Sequence, residues 1–340
     1  MTLRHRVPCC QQNRPRRTPA LPCAPDPRPG HRVHRARRAR RLGRMGDMIL
    51  RQLHDTDKDA EAVWEVVSAA FGDTAALAGL DGWPPEYVAE VHDRNRHLAR
   101  SDPGGCWLAV DDGGMPLGAA LSTRREGTWG LSMFAVLPRA QRQGVGRELL
   151  AATLLYGRGC LRGIICGSED PRAVATYRRA GFALHPAMRL RGTVGPETKA
   201  RLSPPDGAVH EGAARHRDLL DSVDRRTRGG AHGTDHELLM AQRRLLVVDD
   251  LAGSGYCYVG EDGKVELLAA TSRRLAKRLL TAALLCLPEG TDARVPGLTA
   301  EQQWAVDVGL EAGLELSTGG YVCLRGMPPP APYIPSGTFL

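Results

Sequence analysis

Hydrophobic residues follow two different spacings along residues 48–194, and their order predicts a mixture of strands and helices. Short apolar or alternating runs predict strands at 48–53, 106–110, 117–122, 130–137, 163–166 and through 183–194. Apolar residues at helical spacing predict helices at 57–71, around 84–99, after residue 144 and around Tyr177. This order predicts an α/β chain with a mixed sheet (α+β).

The pattern after residue 208 follows a similar plan. Helices predicted at 216–226, 273–286 and 301–312 alternate with strands at 244–249, 256–259, 264–269 and 293–295, and a hairpin turn is predicted at 252–255. We expect either a second copy of the first fold or an unrelated α/β domain. The stretch 196–207, which contains three prolines, is predicted to be a linker.

These boundaries predict domains at 45–195 and 208–326, followed by a Pro-rich tail at 327–340 that we expect to pack as an extended strap. Residues 1–44 are rich in Arg and Pro and are predicted to be disordered. We favour a true start at Met45 or Met48, directly before the first strand, over a basic arm that contacts nucleic acid or anionic lipid.

The formal charge of +8 comes from the N-terminal tail. Residues 1–44 hold thirteen Arg and one Asp, so residues 45–340 carry 33 basic and 37 acidic groups. This mildly acidic remainder excludes a basic nucleic-acid surface on the folded part, and we expect no nucleic-acid partner.

Nine cysteines occur without the paired Cys-x-x-Cys spacing of metal sites, so we expect reduced thiols and no metal. The chain contains no apolar run near the ~20 residues that cross a bilayer. It also contains no secretory signal, and we expect a cytoplasmic protein with no membrane partner.

The segment 136–150 joins an apolar strand to a helix through a loop that contains Gly144 and Gly146. These glycines allow a ligand to approach the backbone, and the first amides of the helix lack partners. Arg142 and Arg147 add positive charge, so the loop is expected to bind a phosphate. The alternative is a tight turn that packs a helix on a sheet.

The pattern Gln-x-x-Gly-x-Gly at 141–146 resembles the acetyl-CoA pyrophosphate loop of the GNAT acetyltransferase superfamily. A second element, the helix of residues 170–182 that ends in Tyr177-x-x-x-Gly181-Phe182, resembles the matching helix of that family. Asp170 stands where the family commonly has Asn. The resemblance implies a GNAT (acyl-CoA N-acyltransferase) fold at 45–195 and a second, degenerate copy at 208–326.

The resemblance also implies acetyl-CoA as cosubstrate and assigns roles to individual residues. The diphosphate is expected on Gln141, Arg142, Gln143, Gly144, Val145, Gly146 and Arg147, and the pantetheine arm against Phe134, Ala135 and Val136. Tyr177 is expected to be the acid that protonates the leaving thiolate, because a phenol with a pKa near ~10 stays protonated at neutral pH. The alternative for Tyr177 is a buried tyrosine bonded to the backbone.

A base for the incoming amine is also needed. Glu126, Ser132 and His185 all lie near predicted strand ends, and the sequence does not distinguish them from proton transfer through water. In the second half, alignment of the two copies puts Arg274, Ala276 and Gly309 where Gly144, Gly146 and Tyr177 stand. We therefore expect no acetyl-CoA site there.

The sequence predicts an N-acetyltransferase that transfers acetyl from acetyl-CoA to a small-molecule or peptide amine, by direct attack on the thioester. The alternative is a catalytically silent acyl-CoA-binding sensor or regulatory protein. The sequence is compatible with a homodimer.

Overall fold

A computed structural model describes residues 48–77 and 83–340. The tail predicted at 1–44, the candidate start Met45, and Cys9, Cys10 and Cys23 lie outside the described residues. Among the helices of the described ranges, none has both the length and the apolar character that crossing a bilayer requires.

The first half of the chain contains six strands and five helices. In order they are β1 (Ile49–Gln52), α1 (Asp57–Leu77), α2 (Pro85–Ser101), β2 (Cys106–Val110), β3 (Pro116–Arg125), β4 (Thr128–Val136), α3 (Val145–Tyr156), β5 (Arg162–Gly167), α4 (Pro171–Arg179), β6 (Ala183–Thr193) and α5 (Pro196–Arg201).

The second half repeats the plan with one additional short strand. In order its elements are β7 (His210–Glu211), α6 (Arg217–Thr227), α7 (Asp235–Gln242), β8 (Arg244–Asp250), β9 (Gly253–Val259), β10 (Val265–Ala270), α8 (Arg273–Leu285), β11 (Asp292–Leu298), α9 (Gln303–Glu311), β12 (Glu315–Arg325) and β13 (Tyr333–Ile334).

The structure corrects the predicted pattern at several elements. The predicted linker 196–207 contains α5, and β9 begins at Gly253, inside the predicted turn 252–255. Helix α7 and strands β7, β12 and β13 were not predicted. The largest omission is β12. Its first half, Glu-Leu-Ser-Thr-Gly-Gly, has the composition of a loop, and it becomes a strand because it pairs with β6 on one side.

The two halves exchange their last long strands. The eight-stranded sheet has the order β1-β2-β3-β4-β5-β12-β6-β11, and the second sheet has the order β13-β10-β9-β8-β7. Strand β12 of the second half therefore lies between β5 and β6 of the first, and β6 lies between β12 and β11 of the second. The described residues, 48–77 and 83–340, belong to one compact unit, so the boundary predicted at 196–207 does not divide two self-contained domains.

Helices cover both faces of the eight-stranded sheet. On one face, α1 and α2 share an apolar cluster with the second half, in which Val63 and Leu98 pack with Leu220 and Tyr258. On the other face, α3 and α4 cover β4 and β5 through side chains that include Leu150 and Tyr177. Each fully buried aliphatic side chain contributes about 1.5–3 kcal/mol, so the shared cluster stabilises both halves together.

Candidate active site

Strands β4 and β5 run parallel and pair only at their starts. The paired residues are Thr128 with Arg162, Trp129 with Gly163 and Gly130 with Ile164. Past this point β4 carries a bulge at Ser132, because the register with β3 shifts by one residue between Leu131 and Met133. The two strands diverge and leave what we call the β4–β5 notch, between residues 131–136 of β4 and 165–167 of β5.

The loop that follows β4 contains two left-handed residues directly before helix α3. Arg142 and Gly144 both adopt left-handed conformations, with φ of 63° and 85°. Gly144 is the N-cap of α3 and makes no side-chain cap, so the first amides of the helix are left for another acceptor. Left-handed residues that alternate with right-handed ones turn successive N–H groups toward one point, and the helix dipole adds to the positive potential there.

Gln141 ties this loop to β4 and to α4. Its Nε2 donates to the carbonyl oxygen of Val136 at 3.2 Å, and its Oε1 accepts a hydrogen bond from Arg172 at the start of α4. Asp170 caps α4 by accepting from the backbone N–H of Arg172 at 2.8 Å, and it also pairs with the Arg172 guanidinium. Asp in place of Asn therefore keeps the helix cap and fixes an arginine beside the loop.

The predicted binding residues differ in how they can contribute. Arg142, Gln143 and Arg147 are exposed beside the loop, whereas Val145 is buried under α3. Gly146 lies against β4, since a Cβ there would be 3.2 Å from the Phe134 ring. Ala135 belongs to the core on the α1 and α2 side, so only its backbone can take part in the notch.

Tyr177 lies on the inner face of α4, 5 % exposed, beside the notch. Its ring centroid is 6.2 Å from that of Phe134, and its ring approaches Gly167 at the end of β5. Burial raises the pKa of the Tyr177 phenol well above its usual value, with a smaller contribution from Cys323 of β12. Within the described residues its hydroxyl makes no hydrogen bond to the backbone.

The three candidate bases occupy different surroundings. Glu126 is held in the β3–β4 turn by Arg225 at 2.7 Å and by the backbone N–H of Ala231, and these partners lower the pKa of its carboxyl. Ser132 forms the bulge at the notch, and its buried hydroxyl has no partner within the described residues. His185 lies on β6 opposite Val322 of β12. The structure places only Ser132 in the notch itself.

The second half has no equivalent of the open notch. Strand β13 pairs with β10 at Leu268 and Ala269, and therefore covers the side of β10 that corresponds to the free side of β4. At the start of α8, Ser272 caps the helix by accepting from Leu275 N–H. Arg278 of the same helix pairs with Asp206 at 2.8 Å and with Asp250 at 2.7 Å.

Residues of the second half reach the notch through the strand exchange. Cys323 of β12 is buried beside Tyr177, and Cys166 at the end of β5 is close enough to Lys264, directly before β10, and to Glu266 of β10 for their charges to affect it. Burial raises the pKa of the Cys166 thiol to about 12. The local sequence gives no signal for these contacts, because they depend on which strands become neighbours.

A buried polar cluster in the second half was also not predicted. Asp224 accepts from His232 Nδ1 at 2.6 Å and from His236 Nε2 at 3.0 Å, and these ligand-type atoms lie within 4.8 Å of one another. Tyr256 donates to the same carboxylate, Tyr258 lies 3.1 Å from His236 Nδ1, and Tyr333 lies 3.3 Å from His232 Nε2. The Asp and both His are therefore fully hydrogen-bonded without an ion, and the two histidines lower the pKa of Asp224 far below its usual value.

The tryptophans of the first half divide into core residues and a surface cluster. Trp129 is fully buried and donates from Nε1 to the carbonyl oxygen of Thr153 at 3.0 Å. Trp64, Trp83 and Tyr87 instead pack on one another between α1 and α2, with Trp83 and Tyr87 stacked at 5.0 Å.

Comparison with known proteins agrees with this geometry. Residues 62–182 match the family model of the Acetyltransferase (GNAT) family, whereas comparison with curated proteins gave no match. A candidate acetyltransferase from Pyrococcus horikoshii superimposes with a TM-score of 0.65 at 18 % identity, covering 91 % of this chain and 97 % of its own.

Two further structures superimpose at lower similarity. A GCN5-related N-acetyltransferase from Sphaerobacter thermophilus gives a TM-score of 0.53 at 13 % identity, covering 83 % of this chain and 96 % of its own. A tandem GNAT protein from the clavulanic acid biosynthesis pathway gives 0.52 at 15 % identity, covering 83 % and 99 %. At these identities the likeness establishes the fold alone.

The glycine loop, the diverging strands and the matched family model all lie in the first half, and the second half repeats the fold without the loop. Residues 62–182 are therefore similar to the GNAT acetyltransferase family, and the chain shares its fold with GNAT structures that include a tandem GNAT protein.

Proposed function

We propose that the protein is an acetyl-CoA-dependent N-acetyltransferase with one active site, located in the first half. The observation that carries this proposal is the contrast between the halves. The β4–β5 notch is open along β4 and ends at an uncapped helix N-terminus, whereas β13 covers the corresponding side of β10.

The residues around the notch fit acetyl-CoA. The amides at the start of α3, together with exposed Arg142 and Arg147, would hold the diphosphate. The backbone of residues 134–136 would hold the pantetheine arm in the gap that β5 leaves. The arm would lie there in the place of a neighbouring strand. Phe134 and Val136 provide apolar contact there, since both pack with the Gly146 region of α3.

Backbone amides and a side chain have different roles in the reaction. The amine nitrogen attacks the thioester carbonyl carbon, and free amides of β4 stabilise the negative oxygen that develops. As the carbon–sulfur bond breaks, Tyr177 donates its proton to the sulfur, and the ammonium group that results from attack loses a proton to water. Burial raises the pKa of Tyr177 and keeps the phenol protonated at neutral pH, and water returns a proton to the phenolate after the transfer.

Isothermal titration calorimetry of the full chain with acetyl-CoA tests the proposal. Gly144→Glu should weaken binding at least tenfold, because the new side chain strains a left-handed residue and places a carboxylate against the diphosphate. Gly159→Glu is the matched control, because it adds the same charge where nothing lies within 4 Å of the new Cβ. Equal affinity for both variants would contradict the assigned site, and binding without thiol release from any amine would favour the sensor.

A further inference from the structure

Gly130 leaves a space on β4 that a residue of the second half fills. A side chain at Gly130 would point to the face of the sheet opposite Trp129 and Leu131, because successive residues of a strand alternate between the two faces. A Cβ at Gly130 would lie 2.5 Å from both the Cβ and the carbonyl oxygen of Leu340, and 2.9 Å from Thr123 Oγ1. Leu340 therefore packs directly on the backbone of β4, at the last residue that pairs with β5.

The Leu340 side chain is buried over the neighbouring strands as well. It is 0 % exposed and belongs to one apolar cluster with Ile164 of β5 and Leu324 of β12. Since Ile164 is the partner of Gly130 in the last β4–β5 pair, Leu340 covers the closed end of the notch. Cys166, the next residue of β5 on this face, packs against the same cluster at the edge of the notch.

Hydrogen bonds and packing hold Leu340 in this position. Thr123 Oγ1 donates to the carbonyl oxygen of Leu340 at 3.1 Å. Ser336 Oγ accepts from the backbone N–H of Phe339 at 3.0 Å and donates to Glu266 of β10 at 2.8 Å. Phe339 itself is buried in the apolar cluster under α1 and α2. Leu340 is therefore a fixed wall at this end of the notch.

The acyl group of a bound CoA thioester would point at this wall. In the proposed complex the diphosphate lies at the loop 141–146, after the end of β4, and the pantetheine arm runs back along residues 134–136. The thioester then lies near the Ser132 bulge, and the acyl chain ends beside Gly130 and Ile164, where the two strands pair again. This direction follows from the proposed function, on which the inference rests.

Space for a longer acyl chain is filled on both faces of the sheet at the closed end. On the α3 and α4 face, Trp129 and Leu131 are buried in one cluster with Tyr177. On the α1 and α2 face, Gly130 has no side chain and Leu340 takes up the space above it. Protein cores are packed as densely as organic crystals, so each added methylene would have to displace a side chain.

We propose that Leu340 limits the acyl group to two carbons, so that the protein uses acetyl-CoA and excludes longer acyl-CoAs. The active site of the first half thus depends on a residue of the second half for its acyl specificity. Leu340→Ala removes three carbons at the closed end, whereas butyryl has two carbons more than acetyl. The space that the variant opens is therefore large enough for the longer chain.

Calorimetry of the full chain with CoA thioesters tests this proposal without an acceptor amine. Acetyl-CoA and butyryl-CoA share the diphosphate and the pantetheine arm, so the ratio of their dissociation constants reports the acyl group alone. We expect the wild type to bind butyryl-CoA at least about tenfold more weakly than acetyl-CoA, and Leu340→Ala to bind the two within about twofold of each other. The affinity of the variant for acetyl-CoA should fall by at most about fourfold, the effect of one lost methylene contact.

Two further variants separate this role from a general loss of packing. Leu284→Ala is the matched control, because it removes the same three carbons from a different apolar cluster, and it should leave the ratio unchanged. Leu340→Val removes one carbon, disturbs the fold less than Leu340→Ala, and should allow propionyl-CoA to bind as well as acetyl-CoA does. Thermal unfolding establishes that each variant is folded.

The outcomes distinguish this inference from the proposed function. Equal binding of acetyl-CoA and butyryl-CoA by the wild type overturns the inference and leaves the acetyl-CoA site in place. A preference for acetyl-CoA that persists in both Leu340→Ala and Leu340→Val also overturns it, because another group would then set the limit. If the wild type binds no CoA thioester, the proposed function fails and the inference fails with it.

Discussion

Gly130 of β4 pairs with Ile164 of β5, and this is the last pair before the two strands diverge. The notch begins immediately beyond it, with the Ser132 bulge on one strand and Cys166 on the other. In the second half, β13 pairs with β10 along the corresponding side. One side of β4 is therefore open, whereas the corresponding side of β10 is covered.

Acetyl-CoA should bind with a stoichiometry of one per chain. The first half offers uncapped amides at α3, whereas the second half has a side-chain cap at Ser272 and a strand along β10. Calorimetry on the full chain measures the number of sites directly. A stoichiometry near two would show that the second half retains a site.

Tyr177→Phe should lower kcat by about 100-fold, in the range that general acids contribute, and leave acetyl-CoA affinity unchanged. The ring packs against Phe134 and Gly167, and its hydroxyl has no described partner, so loss of the hydroxyl should not disturb the fold. Tyr321→Phe on β12 is a control for the loss of a tyrosine hydroxyl that was assigned no role. An unchanged kcat in Tyr177→Phe would exclude this residue as the acid.

We expect that kcat does not fall through deprotonation of the general acid at any pH up to ~10. A general acid works only while protonated, so activity is lost as the pH rises through its pKa, and burial raises the pKa of Tyr177 above the usual value of about 10. Steady-state rates measured from pH 7 to about 10 test this. A falling limb near pH ~8 that disappears in Tyr177→Phe would mean that the phenol is more acidic than its burial implies.

Asp224→Asn should destabilise the protein by about 3–5 kcal/mol, because it breaks a buried pair that holds two histidines and a tyrosine. The folded-state pKa of Asp224 is lowered, so its contribution is present above the unfolded value of about 3.9 and is lost as the pH falls below it. Urea unfolding at pH 7 and at pH ~3.5 measures both effects. Asp218→Asn, exposed on the same helix, serves as control, and a similar small change in both variants would contradict the prediction.

The two halves should not fold independently. A polypeptide that ends near residue 203 lacks β12 and would leave the long sides of β5 and β6 unpaired, with the apolar cluster under α1 and α2 open. We expect each half to be insoluble when expressed alone and to be recovered as a complex when the two are coexpressed. A soluble, cooperatively unfolding first half would show that the strand exchange is dispensable.

The sequence alone determined the features that depend on local order. Glycines in the loop 141–146, the strand before it and the helix that carries Tyr177 are set by residues close together in the chain, and the structure places the loop, β4 and Tyr177 around one notch. The sequence also predicted that the second half lacks this loop, because no glycine stands at the start of α8.

Only the tertiary structure decided which residues meet from distant parts of the chain. Strand β12 is polar over its first half and gains its partners by entering the other half's sheet, so its local pattern did not predict a strand. Leu340 looks like one more residue of a Pro-rich tail until its contact with Gly130 shows that it lies at the closed end of the notch. Hydrophobic periodicity records how a segment meets the core, but the choice of neighbouring strand depends on pairing between residues more than a hundred positions apart.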